Sequence, residues 1–391
     1  MRIGIDIRAV GYQRTGDETY TLQLIKSLEK IDSENQYFLY TDVSSEKEVK
    51  KVKQLLSLTN GNFRIISVSP SQKMFWTMYS LPKQAKKDRL DILHVQYITP
   101  LFLSKNIKLV TTIHDVSFTR FPEFINKKDL FLLRLFIKMS LKKADKIIAV
   151  SKFTRNEIID VYKVDKNKVA VIYNGGVAEE FKKPISNEDV LEFRKKYDIM
   201  ESYLLFLGTL QPRKNIPFLI DSFVGLKRKY KNNQKIDNLT LVLRGSKNGH
   251  NYDNRIDEIL EKIELKYPGI YKQIKFVDYI SNEEIPLIFK GATAFCFTSV
   301  YEGFGLPLLE SMSVGVPVIA NEGSCFPEII GDAGMLYDDK NSNDFIEKTK
   351  QLIEDGFLRR KLIEKGLGRV KFFSWDKNAE QTINLYKIII N

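Results

Sequence analysis

The feature that most constrains this chain is an alternation that occurs twice. Short apolar runs of strand length lead into stretches with helical hydrophobic spacing. "RIGIDI" precedes the amphipathic "ETYTLQLIKSLEKI", and "DILHVQ" and "KLVTTIHD" follow. "KIIAVS" precedes "KFTRNEIIDVY", with Ser151 placed as an N-cap, and "KVAVIYNGG" ends the series at a Gly pair. Such alternation predicts a parallel α/β sheet. The charged stretch "AEEFKKPISNEDVLEFRKKYDIM" interrupts it, and it restarts with "YLLFLGTL", "PFLIDSFVGLKRKY", "LTLVLRGS", "IKFVDYI", "ATAFCFTS" and "VGVPVIA". With 391 residues, too many for one core, the expectation is two similar α/β domains, 1–183 and 184–373, divided near Pro184. The tail "FSWDKNAEQTINLYKIII" reads as a last amphipathic helix, 374–391.

Composition excludes several classes. The chain is 43% hydrophobic and 28% charged, as soluble globular proteins are. No uncharged apolar stretch reaches about 18 residues, so no membrane-spanning helix is expected. "MRIGIDIRAV" carries no long apolar segment, so no secretory signal is expected. Two cysteines, Cys296 and Cys325, cannot form a disulfide framework; they fit a reducing cytoplasm and read as small apolar residues. Three histidines, His94, His114 and His250, show no zinc-ligand spacing, and no metal site is expected.

The net charge of +12 is unevenly placed. Residues 1–200 hold 35 Lys and Arg against 24 Asp and Glu, which is +11; the rest hold 26 against 25. That excess suits an anionic partner or a lysine-rich solvated surface. "KKDLFLLRLFIKMSLKKADK" predicts a helix from about Asp129, with Arg134, Lys138 and Lys142 in one stripe. Leu130, Leu133, Ile137 and Leu141 form an apolar stripe, widened by Phe131, Leu135 and Met139. "KMFWTMYSLPKQAKK" adds aromatics beside lysines. This pattern suits the plane of an anionic membrane, or a core-packed helix with a basic outer face. No RNA-binding motif, zinc finger or basic–aromatic repeat occurs, so nucleic acid is not expected.

Chemistry concentrates where strands end. In open parallel sheets, ligands bind beyond the carboxyl ends of strands. Gly16, in "GYQRTGDETY", would let a phosphate approach the backbone at a helix start, although Asp17 and Glu18 there repel anions. His114 ends the strand "KLVTTI", and a neutral imidazole there can donate a hydrogen bond to a ligand hydroxyl. Arg213 and Lys214, in "GTLQPRKN", combine a planar fork with a compact charge and suit a diphosphate. Glu302 and Glu310 bracket "GFGLPLL", where Gly303 and Gly305 let the backbone come close to a ligand. A carboxylate accepts two hydrogen bonds, as a vicinal diol requires. The spacing suits one acid on each sugar of a nucleotide sugar, with the basic pair on the diphosphate.

At this point the sequence resembles the retaining glycosyltransferases of family 4. Glu302 and Glu310 with seven residues between them match that family's hallmark, and "TTIHDVSFTRFPE", "AVSKFTRNEI", "VIYNGG", "GTLQPRKN", "FPEIIGDAG" and "FSW" match in order. The resemblance implies the GT-B fold: two Rossmann-like doubly wound domains facing a central cleft, acceptor in the first, donor in the second, and the last helix crossing back from about Ser374. It assigns Glu310 to the donor ribose and Glu302 to the donor sugar, with Phe304, Gly305 and Leu306 supplying backbone donors. Arg213 and Lys214 would neutralise the leaving diphosphate, His114 would contact the donor sugar, and Tyr279 and Ile280 would read the base through their backbone. Thr209 stands where many members carry Arg, and "TGDE" where many carry a Gly pair.

The implied reaction transfers a hexosyl group, mannose favoured, to a glycan or lipid-linked glycan. The leaving phosphate would act as base, and no protein nucleophile is needed. No cofactor is expected; the donor is a nucleoside-diphosphate sugar, a GDP-sugar before a UDP-sugar. No Asp-x-Asp occurs to suggest a metal. Two other readings stay open: a non-catalytic sugar-nucleotide or nucleic-acid binding subunit, and a sugar-nucleotide epimerase.

Overall fold

The computed structural model describes residues 1–11, 16–69, 73–124, 127–249 and 251–391. His250 lies outside them, as does most of the loop before Gly16. The chain divides into two units: Met1–Gly175 with Phe373–Asn391, and Gly176–Phe372.

The first unit is built on seven strands: β1 (Arg2–Asp6), β2 (Gln36–Thr41), β3 (Phe63–Ser67), β4 (Ile92–Gln96), β5 (Lys108–Ile113), β6 (Lys146–Ala149) and β7 (Val169–Val171). Their order is β3-β2-β1-β4-β5-β6-β7, and every pairing is parallel. The inner strands are buried almost throughout, which is why they read as apolar runs. The chain winds outward from β1 to β3, then returns to the other side of β1 at β4. The order therefore reverses between β1 and β4, and a crevice opens beyond their carboxyl ends.

The second unit repeats the plan with β8 (Tyr203–Leu207), β9 (Thr240–Arg244), β10 (Ile274–Val277), β11 (Ala294–Phe297), β12 (Val318–Asn321) and β13 (Met335–Tyr337). The order is β10-β9-β8-β11-β12-β13, again all parallel, with the reversal between β8 and β11. This is the doubly wound order of dinucleotide-binding sheets.

The division falls at Gly175–Gly176 rather than near Pro184. Phe181 is the reason: it is 5% exposed and its ring lies 5.9 Å from that of Phe289, so the stretch from Gly176 belongs to the second core.

The last helix, Trp375–Ile390, is capped by Ser374 and belongs to the first unit, where it packs along the Gly16–Ile31 helix. Asn378 Nδ2 donates to the Tyr173 carbonyl at 2.7 Å, and the Tyr386 hydroxyl lies 2.6 Å from His94 Nδ1. Burial pushes the His94 pKa down to about 3, the nearby His114 adding to it, so His94 is a neutral core group.

Gly175 is where the final helix meets β7's exit. A Cβ there would stand 2.1 Å from the Trp375 nitrogen and 2.3 Å from the Ser374 carbonyl carbon, both backbone atoms that cannot swing away. Gly175→Ala should therefore undo this docking and lower stability by roughly 1–3 kcal/mol, the usual cost of overpacking. Urea unfolding measures it, with Gly61→Ala as control, since a Cβ at Gly61 meets nothing within 4 Å. Equal midpoints for the two variants would contradict the close crossing.

Candidate active site

In the second unit, β8 and β11 are neighbours, so the loops that leave them are held side by side. The first carries a short helical turn, Pro212–Lys214, and Asn215 in the left-handed region (φ 53°) before the Ile216–Lys229 helix. The second runs from Thr298 to Gly305. Three bonds sew them together: Val300 N–H donates to the Arg213 carbonyl at 2.8 Å, Thr298 Oγ1 to the Lys214 carbonyl at 2.8 Å, and Arg213 Nη1 to the Tyr301 carbonyl at 3.3 Å.

This clamp brings Arg213, Lys214 and Glu302 into one cluster. Arg213 Nη1 lies 2.7 Å from Glu302 Oε1, and Lys214 Nζ pairs with the same oxygen. Lys214 is buried, its ammonium 5.4 Å from the centre of the Phe297 ring. Burial pushes the Glu302 pKa up, but the charges of Arg213 and Lys214, with their hydrogen bonds, more than offset this and hold it at about 2. Glu302 is thus a carboxylate at neutral pH, able to accept hydrogen bonds and unable to donate a proton. A third loop fixes its backbone: Ser324 Oγ accepts from Glu302 N–H at 2.9 Å and donates to the Glu302 carbonyl at 2.7 Å.

Gly305 caps the Leu306–Ser313 helix in the left-handed region, at φ 91° and ψ 55°, a conformation that favours glycine. Pro307 brings no N–H to the first turn, and Leu308 N–H bonds the Gly305 carbonyl at 3.0 Å. The Leu306 N–H at the helix start has no partner within the helix by geometry. Phe304 is buried, and its carbonyl accepts from the Cys325 thiol at 3.1 Å. Glu310 is the fifth residue of this helix and is nearly buried. Tyr279 and Ile280 follow β10 at the sheet edge; Tyr279 is 78% exposed and Ile280 1%. The described contacts do not join them to the Glu302 cluster.

In the first unit, the crevice at the β1–β4 reversal is a cavity of about 650 Å³ lined by Asp6, Arg8, Asp17, Asp42, Thr77 and Gln96, among others. Arg8 forms a two-pronged pair with Asp6, Nη2 to Oδ2 at 2.6 Å, and its guanidinium lies 3.9 Å above the Trp76 ring. His114, at the exit of β5, bonds the cavity-lining Gln96, Nε2 to Oε1 at 2.7 Å. The Tyr20 ring stands edge-on to it at 4.9 Å, and Thr154 Oγ1 bonds its carbonyl at 3.3 Å. Thr154 also bonds Ser151, the N-cap of the Lys152–Tyr162 helix, so "AVSKFT" serves to anchor His114. At Gly16, an added Cβ would meet nothing within 4 Å, so neither space nor backbone conformation requires glycine there. Glu18, in the same turn, accepts from Gly11 N–H at 2.6 Å.

Ser324 and Gln96 were not legible as site residues. Each acts on a partner far along the chain, 22 and 18 residues away. Gln96 had one signal, a polar residue ending an apolar strand run, the position that singled out His114.

Two doubly wound parallel sheets, each gathering its polar groups where the strand order reverses, define a GT-B protein. The first unit matches the family model "Glycosyltransferase Family 4" over residues 15–177, and the second matches "Glycosyl transferases group 1" over residues 189–369. The chain belongs to these families and is a glycosyltransferase. It is 28% identical to the O-antigen chain mannosyltransferase B of Escherichia coli, all of both chains being covered. It is 24% identical to the O-antigen chain mannosyltransferase RfbU of Salmonella typhimurium, over 89% of this chain and 91% of that one. Among solved structures, a glycosyltransferase from Rickettsia africae shares the fold with a TM-score of 0.74 at 20% identity, covering 100% of this chain and 98% of that one.

Because Glu302 titrates at about 2 in the folded protein and at its ordinary 4.5 when unfolded, its pairing stabilises fully above about 4.5. That contribution is lost as pH falls toward about 2. Glu302→Gln should cost roughly 1–3 kcal/mol at pH 7. The gap to the native protein should narrow progressively on acidification from pH 4.5. A gap independent of pH in chemical unfolding would show that the cluster's charge is not what stabilises it.

Proposed function

We propose that this glycosyltransferase moves a hexosyl group, mannose in the first instance, from a nucleoside-diphosphate sugar to a glycan or lipid-linked glycan, with retention of configuration. The observation that carries this reading is the Arg213–Lys214–Glu302 cluster at the β8–β11 reversal. As the bond from sugar C1 to the diphosphate oxygen breaks, negative charge builds on the leaving phosphate and positive charge on the ring. Arg213 and Lys214 are cations already in place, and stabilising developing charge with preorganised groups is usually the largest catalytic contribution. Glu302, ionised and held by its backbone, would accept hydrogen bonds from the donor sugar's hydroxyls. The leaving phosphate would take the acceptor's proton, so the protein needs no nucleophile and no acid at this carboxylate.

In the same reading Glu310 accepts from the donor ribose, and the N–H groups of Phe304, Gly305 and Leu306 serve the sugar and diphosphate. Tyr279 and Ile280 read the base through their backbone, which is consistent with the Ile280 side chain being buried. His114 meets a sugar hydroxyl, and Gly16 leaves an open backbone at its helix start. The first unit takes the acceptor and the second the donor. The names of the two mannosyltransferase relatives favour mannose, and the GDP donor is what the sequence resemblance implies.

Incubation with GDP-mannose and UDP-glucose in parallel, each with EDTA, tests this. GDP should be released from GDP-mannose in the presence of chelator, and the product should keep the donor's anomeric configuration. An inverted product would overturn retention. Loss of activity to EDTA, restored by magnesium, would overturn a counter-charge supplied by Arg213 and Lys214 alone. No nucleoside diphosphate from either donor would favour a binding subunit.

We further propose that the first unit works at an anionic membrane surface. The Lys127–Lys143 helix buries Ile137 and Leu141, while Phe131, Leu132, Leu135 and Met139 are exposed on the same side as Arg134, Lys138 and Lys142. Phe131 is 68% exposed, far more than a core-packed helix needs. Elsewhere in the unit Phe75, Tyr79 and Phe102 stack on one another at 5.1 Å spacings, with Phe102 62% exposed. Apolar side chains interleaved with basic ones fit an interface, where each basic residue contributes about 1 kcal/mol. Among the described residues no helix is long and apolar enough to cross a membrane. The protein should sediment with vesicles containing phosphatidylserine and less with neutral ones, the difference shrinking at high salt. Arg134, Lys138 and Lys142 changed together to Glu should abolish the preference; an unchanged preference would place the contact elsewhere.

A further inference from the structure

His114 closes a hydrogen-bond chain whose other end is a backbone carbonyl, and that end fixes the direction of every bond. A carbonyl oxygen only accepts, so the Thr21 hydroxyl, 2.8 Å from the Asp17 carbonyl, donates its one proton there. The Thr21 oxygen is left as an acceptor. Gln96 stands 2.5 Å from it and must therefore present its NH₂ group. The Gln96 oxygen is thereby turned to His114 Nε2, 2.7 Å away, and it can only accept. Nε2 carries the proton. The Asp17 carboxylate, 3.8 Å from the same nitrogen, is a second acceptor on that side. Neutral imidazole has one N–H, so Nδ1 is a bare lone pair. Among the described residues Nδ1 has no hydrogen-bond partner.

His94 makes a useful contrast. Its nitrogens bond the Tyr386 and Thr112 hydroxyls, and Thr112 in turn bonds the Tyr20 hydroxyl at 3.0 Å. Each hydroxyl can donate or accept, so this chain fixes no direction.

We propose that Gln96, oriented by Thr21, is a positioning residue that holds His114 as its Nε2–H tautomer, so that the nitrogen left for a ligand accepts a hydrogen bond from a substrate hydroxyl. This rests on the reading that His114 meets a sugar, and it reverses the donor role that the sequence suggests for the imidazole. It also selects the partner by chemistry. A sugar hydroxyl has a proton to give to Nδ1, whereas an ionised phosphate oxygen does not.

The three histidines make the test direct. Protein labelled with ¹⁵N-histidine is examined by long-range ¹H–¹⁵N correlation at neutral pH, and His114→Asn identifies the His114 signals by their loss. Nε2 should appear protonated and Nδ1 unprotonated. A protonated Nδ1 would overturn the assignment, whether or not the protein transfers sugar. Thr21→Val is close in shape and frees Gln96 to turn its amide, so it should let the Nδ1–H form appear. It should also slow transfer by roughly ten-fold, about what one lost hydrogen bond allows. A Thr21→Val protein in which His114 stays fully Nε2–H would overturn the relay, and a shifted tautomer with unchanged turnover would overturn its positioning role.

Discussion

Parallel pairing of every strand is the constraint on which the rest depends. A parallel neighbour cannot be reached by a hairpin, so each strand must be followed by a crossover that returns the chain to the same end of the sheet. Both units begin in the middle of the sheet, wind outward, and come back on the other side of the first strand. The loops after those two central strands are then neighbours whatever lies between them in sequence. In the second unit this sets Lys214 against Glu302 across 88 residues of chain. The loop-to-loop bonds from Thr298 and Val300 follow from the same adjacency, and without them the carboxylate and its two cations would be three separate surface charges.

Those three charges constrain what the site can do. A carboxylate with a pKa near 2 carries no proton at neutral pH and cannot protonate a leaving group. Two cations on one oxygen also withdraw electron density from it, so it makes a poor nucleophile. What remains is electrostatic: Glu302 keeps Arg213 and Lys214 compensated and in place, and the same oxygens can bind hydroxyls. Any anion reaching these cations would compete with Glu302 for them.

Much of this organisation was legible in the sequence. Ten of the strands appear in it as apolar runs, and Ser151 and Ser374 cap the helices that follow them. The strands that did not stand out are β2, whose aromatics "QYFLYT" follow a polar turn, β3, with polar residues at Arg64 and Ser67, and β13, three residues long. The residue types at the site were legible because strand ends are where such sheets bind. Their pairing was not: that Glu302 faces Arg213 and Lys214 is set by strand order, which periodicity does not report. The Gly pair at the end of β7 was visible, but its cause, the backbone of Trp375 crossing at Gly175, lies at the far end of the chain. The sequence left open whether Phe131, Leu135 and Met139, which widen the apolar stripe, face a core or an interface; they are exposed, while Ile137, Ser140 and Leu141 of the same helix are buried.

The charge balance of the first half takes on a different meaning once placed in space. An excess of +11 suggests an anionic ligand, and the natural seat for one would be the crevice at the β1–β4 reversal. That crevice instead carries the carboxylates of Asp6, Asp17 and Asp42 against Arg8. Arg8 pairs with Asp6, and Asp17 and Asp42 bring two further carboxylates to the lining. Carboxylates in such a lining can accept hydrogen bonds from hydroxyls. His114 bonds Gln96 of this lining through Nε2. Part of the basic excess is found elsewhere. It lies on outer faces such as the Arg134–Lys138–Lys142 stripe, where exposed apolar side chains accompany it.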